Sequence, residues 1–582
     1  MSLQSDIQTA LTLTRQGNHK AALKAAKSAM KKHKGHPLFP NLAAVALCAA
    51  GKEREAIPLY RKALELDPSF HDARRNLGLA LTATGQTAKA ETVLAKAVQQ
   101  QPQDVSSWLA LASARRSLQK FTGARTAAAE AVRLAPQNLQ AVRLLAEAEE
   151  DLGEINAALS GYRSALELAP GDICLRHCIA DLLIYQLQTD EALQVLQQAR
   201  SIDPDNTQTL SRIGSLLDSS GLRDDACAVY KEILKSDPGY ANALLQLSLA
   251  LPADQVAETQ ETAEAVLKKT PPKTLDRASL EFAAAHFARR AGDLQKAQDL
   301  YRCGNKTVAQ LLPYDRRQQT QLSQEALSRF PETAVLQTKT AQEPCPIYII
   351  GMPRSGTTLT EAVLGAHPAV IAAGERRIDE RMVAALQSGA AFGAEEVKEM
   401  YRVTRENLPP MPEGTRAYVD KMPENFRFLG FLLQANPQAK VIHLRRDPRD
   451  TALSQWQTLF AGGALPYTYD LRAMAHRFNL YAELMAHWHR VLPGRILDLR
   501  YEDLVADIQS GSRLIASHCW LDWVPEMAEP HRHTGQVLTA SLHQVREPVH
   551  ARSVRKWEQH LETLAPFISE LNPELWPELR EG

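Results

Sequence analysis

Apolar positions in the first half of the chain recur at helical spacing, and small or aromatic residues mark where those helices meet. Alanine stands at 56, 90, 124, 158, 192 and 226 and proline at 68, 102, 136, 170, 204 and 238, so both series have a period of 34. Gly51, Gly85, Gly153 and Gly221 fall at the turn between helices, and Tyr60, Tyr162 and Tyr230 at a packing position of the second helix. The pattern predicts stacked pairs of antiparallel helices. Alanine lets the two helices approach closely, and proline stops the second before the next pair begins. With six registers in phase, accidental amphipathic helices are excluded. Residues 1–36 read as a divergent first repeat with Gly17 and Ala22 in register, and residues 207–240 as the last clean one. The phase slips at Leu251-Pro252-Ala253-Asp254, and Thr270-Pro271-Pro272-Lys273 reads as a break. One further helical pair is expected around Leu280 to Gln310, with Gly292 and Ala297, followed by a polar, Thr/Gln-rich junction over 311–342.

The pattern then changes. Ile347 to Ile350 is a short apolar run, followed by a glycine-bounded turn, Gly351 to Gly356, and an apolar-periodic helix from Leu359. Further strands are expected at Lys440 to Leu444 and Arg495 to Leu499, with helices after the first two. Strands alternating with helices predict a parallel α/β sheet covered on both faces, with ligand at the carboxyl ends of the strands. The fold class expected is therefore two-part, an all-α repeat solenoid followed by an α/β domain with a P-loop-like turn. The divisions expected are a solenoid over 1–274, a helical continuation and junction over 275–342, and the α/β domain over 343–582. A chain of 582 residues that is 45% hydrophobic has enough apolar material for more than one core.

Composition narrows the partners. Equal numbers of basic and acidic residues, 67 each, give no overall attraction to nucleic acid or anionic membrane. Seven cysteines lack the spacing of a disulfide framework, with Cys174 and Cys178 expected to pack on one helix face, so a reducing cytoplasm is the default. The N-terminus lacks a basic stretch followed by an apolar core, and no apolar run reaches the length of a membrane span.

Two segments carry the chemistry. The run Gly351-Met352-Pro353-Arg354-Ser355-Gly356-Thr357-Thr358 has the spacing of a phosphate-binding loop, with Thr357 where a nucleotide-binding lysine belongs and the positive charge moved to Arg354. Such a loop aims backbone N–H groups and a helix N-terminus at an anion. The second segment follows its own strand and holds Arg445, Arg446, Arg449 and Ser454, a second anion site. Arg445 and Arg449 are expected to pair with Asp447 and Asp450 and stay outside the site. His443 reads as a strand or core histidine. His487 and His489 are two apart and do not share a helix face, and His531 and His533 flank a loop; no metal is expected at either pair. Gln455 to Pro466, with Trp456, Phe460, Gly462 and Gly463, has the composition of a mobile loop closing over an acceptor.

A ligand with anionic groups on both sides of a nucleoside fits two such loops, and here the chain resembles a family. The Pro353-Arg-Ser-Gly-Thr-Thr358 loop, Ala366-His-Pro368, Gly374-Glu375, the Arg446-Asp-Pro-Arg…Ser454 stretch, Gln544-Val…Pro548 and Lys556-Trp557 resemble the tyrosylprotein sulfotransferases and their bacterial relatives. The resemblance implies use of 3′-phosphoadenosine 5′-phosphosulfate (PAPS), release of 3′,5′-adenosine bisphosphate (PAP), and no metal. It implies that Pro353, Arg354, Ser355, Gly356, Thr357 and Thr358 hold the 5′-phosphosulfate, and that Arg446 and Ser454 hold the 3′-phosphate, with Tyr501 and Ser541 as more distant contacts. Glu375 matches the general base and Lys421 a lysine that steadies the departing oxygen. The residue chemistry is compatible, because sulfuryl transfer needs positioning, charge stabilisation and proton removal. The 34-residue units resemble the tetratricopeptide repeat, which implies a protein or peptide acceptor, or an adaptor, on the array.

Three readings of different class follow. The first is a sulfotransferase acting on a hydroxyl, preferably a protein or peptide tyrosine, with a carbohydrate or small-molecule hydroxyl as the alternative acceptor. The second is a P-loop kinase or NTPase, opposed by the missing lysine and by arginines where a metal-binding aspartate belongs. The third is a repeat scaffold whose α/β domain is inactive. Animal tyrosylprotein sulfotransferases are membrane-anchored, so the sequence is closer to a soluble, bacterial-type enzyme.

Overall fold

The protein, seen as a computed structural model, is described over residues 3–331, 344–390, 392–532, 537 and 542–580. It forms two compact units that divide between Ile179 and Ala180.

The first unit is built from helix pairs: Leu3–Arg15 with His19–Lys32, Leu38–Cys48 with Glu53–Leu66, His71–Ala83 with Thr87–Gln100, Val105–Ser117 with Phe121–Leu134, and Leu139–Asp151 with Ile155–Leu168. Ala56, Ala90, Ala124 and Ala158 are fully buried, and Tyr60 and Tyr162 are buried against them. The prolines act through the residue before them. Their rings disfavour helical geometry there, and Asp67, ahead of Pro68, is extended at φ −144°, ψ 97°. The side chains of Asp104 and Asn138 then start the next helices by accepting from the N–H groups of Ser106 and Ala141. Cys174 is exposed and Cys178 half-buried, so the expected shared packing face is not formed; none of the seven cysteines is joined in a disulfide.

The turn between paired helices needs one residue in the left-handed region. Gly51, Gly85 and Gly153 supply it with φ of 71°, 77° and 76°. The register predicts the same need at 119 and 187, and there Gln119 and Leu187 take φ of 57° and 59°. Helix pairing imposes the turn even where glycine is absent, at a conformational cost of roughly 1 kcal/mol per residue.

The second unit holds the later repeats and the α/β part. Beyond residue 240 the sequence pattern predicted one helical pair, and the structure has two: a shortened pair, Ala241–Ala250 and Val256–Lys269, and a full one, Leu275–Arg290 and Leu294–Leu311. The early slip hid the first of these. Leu251 is extended ahead of Pro252, and a single 3₁₀ turn at Ala253–Gln255 takes up the extra residues. Within the expected junction, Arg316–Arg329 is a helix. Arg329 donates to the carbonyls of Ala385 and Ala390, and Phe330 packs edge-on against Phe431 and beside Trp488.

The sheet has five parallel strands: β1 Cys345–Gly351, β2 Val370–Ala372, β3 Ala417–Asp420, β4 Lys440–Arg445 and β5 Ile496–Arg500, in the order β2-β3-β1-β4-β5. Connections leave β1 toward β2 and β3 on one side and reach β4 and β5 on the other, so the switch point lies between β1 and β4. Alternation along β1 sends Ile347 and Ile349 into one core with Val363, Ile442 and Leu499, and Tyr348 and Ile350 into the other with Val441 and Phe426. β2 and β3 were not foreseen, because runs of three and four residues carry too little periodicity to register.

Asp420 closes β3. Its buried carboxylate accepts from Asn425 Nδ2 at 3.1 Å and from the N–H groups of Met422 and Arg376 at 3.2 and 3.4 Å, and burial pushes its pKa up to about 6.

Two predictions follow from these backbone and burial constraints. Gln119→Gly relieves the left-handed strain and raises the urea midpoint of the first unit by the equivalent of about 0.5–1 kcal/mol; an unchanged or lower midpoint contradicts the strain argument. For Asp420 the folded state binds the proton more tightly than the unfolded state, so between about pH 4 and pH 6 this group lowers stability as pH rises, by up to roughly 3 kcal/mol. Asp420→Asn is expected to flatten the decline of the second unit's urea midpoint across that window, and equal slopes in the two proteins refute the assignment.

Candidate functional site

All but one of the described candidate residues lie just beyond the carboxyl end of a strand: the Pro353–Thr358 loop after β1, Glu375 after β2, Lys421 after β3, Arg446 after β4 and Tyr501 after β5, while Ser454 lies late in the helix Pro448–Trp456 that follows β4. They form two clusters.

The first cluster joins the two anion loops. Arg354 stands in the left-handed region at φ 71°. Its Nε donates to Ser454 Oγ at 3.0 Å and its Nη2 to Gln544 Oε1 at 3.3 Å. Arg354 therefore spans both loops, where the sequence reading gave it to the first alone. Arg446 donates to the carbonyls of Arg354 at 2.9 Å and Ser553 at 2.7 Å, and lies over the Tyr501 ring at 4.7 Å. Tyr501 in turn shares a 2.7 Å hydrogen bond with Ser553 Oγ. Burial, reinforced by the neighbouring Arg446 charge, pushes the Arg354 pKa down to about 10. Among the described residues Arg446 forms no ion pair.

Two glycines make the loop possible. Gly351, at φ 153°, lies so close to β4 that a Cβ there would sit 2.7 Å from the Leu444 carbonyl oxygen. Gly356, at φ 107°, precedes the helix Thr357–Gly365, and a Cβ would sit 2.4 Å from the Tyr501 ring. Pro353 contributes its carbonyl, which accepts from the buried Gln455 at 2.8 Å. Ser355 is buried and its Oγ has no hydrogen-bond partner among the described residues, as is true of Arg446 Nε. Thr357 and Thr358 are buried at the first helical positions. These are backbone and side-chain donors gathered at a helix N-terminus, an arrangement chemically suited to an anion.

The second cluster surrounds a buried lysine. Lys421 is completely buried, with Nζ 2.7 Å from Glu375 Oε1 and 3.8 Å from Glu361 Oε2. Glu361 lies on the helix that begins at the loop, so that helix links the two clusters. Its other oxygen accepts from the Gly374 N–H at 2.9 Å, while the Gly374 carbonyl accepts from the Lys421 N–H at 2.9 Å. Burial raises the Glu361 pKa, opposed by Lys421. The Glu375 side chain is 39% exposed, so its carboxylate is reachable from outside while its cation is sealed beneath it.

The sequence reading missed Glu361, because a lone acid in Thr-Leu-Thr-Glu-Ala looks like an ordinary helix charge, and Gln455 and Ser553, whose partners are distant in sequence. Ser541 and His533 lie outside the described residues. Arg449 does pair with Asp447, at 2.7 Å, and stacks 3.6 Å over Trp557. Arg445 instead pairs with Glu578 at 2.6 Å, and Asp450 accepts from the N–H groups of Arg555 and Trp557. The expected mobile loop is pinned. Trp456 ends a helix and its carbonyl accepts from Asn305, and Gly463 abuts Leu312 so closely that a Cβ would lie 2.3 Å away.

His443 is buried with both ring nitrogens engaged, one with Asp498 at 2.6 Å and the other with the Tyr481 hydroxyl, which leaves neither for a substrate. His487 is buried, while His489 reaches Asp498 at 3.3 Å. His443, His489 and Asp498 thus bring three ligand-type atoms within 4.8 Å of one another, a proximity absent from the sequence reading. In the structure the carboxylate serves both imidazoles as a hydrogen-bond acceptor. No helix among the described residues is long and apolar enough to cross a membrane.

Comparison with known proteins finds matches in both halves of the chain. Residues 346–525 match the sulfotransferase family, and residues 47–114 and 109–173 match tetratricopeptide repeats. An uncharacterized protein of Aquifex aeolicus (strain VF5) is 30% identical over 400 residues, 65% of this chain and 52% of that protein. Protein-tyrosine sulfotransferase 2 of Gallus gallus is 24% identical over 246 residues, 37% of this chain and 63% of that protein. The chain thus spans between half and two thirds of the length of these relatives. A solved tetratricopeptide-repeat protein with an unusual peptide-binding site, YrrB, is 22% identical with a TM-score of 0.30, over 32% of this chain and 97% of that one. The chain therefore carries tetratricopeptide repeats followed by a sulfotransferase-family domain, to which the protein-tyrosine sulfotransferases are distant homologues.

Proposed function

We propose that residues 343–582 transfer a sulfuryl group from PAPS to a hydroxyl, preferably that of a protein or peptide tyrosine brought by the repeats of residues 1–274, with 275–342 joining the two. The observation that carries this reading is the Arg354–Arg446 pair. Two guanidiniums lie close together beyond β1 and β4, and a doubly anionic nucleotide is the partner such an arrangement calls for. The cradle fits that donor: Ser355 Oγ and Arg446 Nε are buried without a partner among the described residues, and Gly351 and Gly356 leave room for backbone donors.

The donor supplies the sulfuryl group and leaves as PAP. The chain's residues do the rest. Pro353 to Thr358 hold the 5′ side, and Arg446 and Ser454 the 3′-phosphate, with Arg354 shared between the loops and Tyr501 buttressing Arg446. Glu375, half-exposed, takes the proton of the acceptor hydroxyl as the new oxygen–sulfur bond forms. Lys421, beneath it, stabilises charge on the oxygen released when the old oxygen–sulfur bond breaks. Tyrosine is preferred on the strength of the protein-tyrosine sulfotransferase relatives, and no metal is required by these roles. Seven cysteines with no disulfide among them suit a reducing compartment, which we take to be the cytoplasm.

Calorimetry with PAP, 5′-AMP and ATP–magnesium tests the site. PAP is expected to bind at least about 100-fold more tightly than 5′-AMP, and Arg446→Ala to weaken PAP by about 10- to 100-fold, the worth of a charge-assisted contact. Preference for ATP–magnesium, or an unchanged PAP affinity in the variant, refutes the assignment. Separately, Glu375→Gln is expected to lower the transfer rate by about 10²- to 10⁴-fold while PAP affinity stays within twofold. Near-normal turnover removes Glu375 as the base.

A further inference from the structure

The later repeats do more than lie beside the α/β part. Tyr185 and Ser219 are the last residues of the helices Ile173–Tyr185 and Thr207–Ser219, one repeat apart and in the same register. At each helix end the turn's own N–H groups return to the three preceding carbonyls: Leu182, Leu183 and Ile184 in one repeat, Leu216, Leu217 and Asp218 in the next. The carbonyls of Tyr185 and Ser219 are left for donors from elsewhere, and an arginine of the α/β part takes each. Arg376 Nη1 donates to the Tyr185 carbonyl at 2.9 Å, and Arg546 Nη2 to the Ser219 carbonyl at 2.8 Å.

Both attachments are reinforced. The Arg376 guanidinium lies 3.9 Å over the Tyr185 ring, and the Tyr185 hydroxyl accepts from the Arg377 N–H at 3.1 Å. Ser219 also accepts from the Val537 N–H at 3.1 Å, and Gly221 leaves space that Arg546 fills, since a Cβ there would lie 2.9 Å from its Nη1. Arg376 follows Glu375 directly, and Arg546 stands two residues after Gln544, the residue bonded to Arg354. One repeat turn therefore grips the loop that presents Glu375, and the next grips the segment that reaches Arg354.

We propose that Tyr185 and the Ser219 turn are positioning elements of the transfer site, so that the array sets the geometry of Glu375 and Arg354 for every acceptor, small ones included. This rests on the sulfotransferase reading above. It gives the repeats a task separate from recruitment: they hold the base loop in place from outside the domain that bears it.

The test uses the full-length chain with Tyr185→Ala and Tyr185→Phe, read by amide hydrogen exchange of residues 374–378, PAP affinity, and kcat and KM toward a small phenol. Tyr185→Ala is expected to speed exchange in that loop by at least about tenfold and to lower kcat by at least about tenfold, with PAP affinity within twofold. Tyr185→Phe keeps the ring under Arg376 and is expected to recover most of kcat. Unchanged exchange and kcat in Tyr185→Ala overturn the proposal. So does a joint fall of PAP affinity, melting temperature and kcat that Tyr185→Phe fails to rescue, because that marks a general structural role. If the unaltered protein binds no PAP, the sulfotransferase reading fails on its own, while the exchange measurement still decides whether Tyr185 holds the loop.

Discussion

Parallel pairing of β1 with β4 is the constraint from which the site follows. In their register Gly351 lies opposite Leu444, so the two strands end level and their loops emerge side by side at the switch point. Closeness of the backbones leaves no room for a side chain at Gly351. It also forces two arginines, one from each loop, into the same small volume. Burying guanidiniums together is costly unless something returns the lost hydration. Carbonyls of Arg354 and Ser553 return part of it, and the hydroxyl of Ser454 a little more. A bound anion with several oxygens supplies what hydroxyls and carbonyls do not, full negative charge in forked geometry.

The neighbouring cluster solves the opposite problem. Lys421 is sealed from solvent, yet its charge is met by two carboxylates that the protein itself provides. One, Glu361, is buried on the loop's own helix, and the other, Glu375, opens outward. The arrangement is asymmetric for a reason. A cation neutralised entirely from within would have no role toward a ligand, whereas a cation whose outer carboxylate can take up a proton becomes available as that proton arrives. The arginine cluster and the lysine–carboxylate cluster are thus two separate sets of residues, and the helix Thr357–Gly365 keeps them in fixed relation, since it begins at the first and carries Glu361 into the second.

How much of this was legible in the sequence depended on range. The repeats were, because a period of 34 sustained over six registers leaves few alternatives, and the strand, turn and helix around Gly351 to Gly356 were, because an apolar run and glycines at set spacing describe their own geometry. β2 and β3 escaped because three or four residues make no periodic signal. Glu361 escaped because its meaning comes from Lys421, sixty residues later and just past the end of β3. The left-handed turns at Gln119 and Leu187 were implied by register and concealed by composition, since neither residue advertises a positive φ. Arg445 was assigned the wrong partner for a related reason: nearest in sequence was Asp447, nearest in space was Glu578.

The grip of the repeats on the α/β part draws on a property that every helix has. The last carbonyls of a helix lack an internal partner, and in the helices ending at Ala83, Asp151, Tyr185 and Ser219 the turn satisfies the three before the final one in the same way. A period of 34 therefore presents the same acceptor at the ends of these first helices, at a spacing fixed by how the repeats stack. Two arginines on different loops of the α/β part can engage consecutive acceptors only if those loops hold a matching separation. Stacking geometry of the array is thereby transmitted to Arg376 and Arg546, and through them to the residues beside Glu375 and Gln544. The regularity that makes the repeats easy to recognise is the same regularity that lets them act as a gauge for the site.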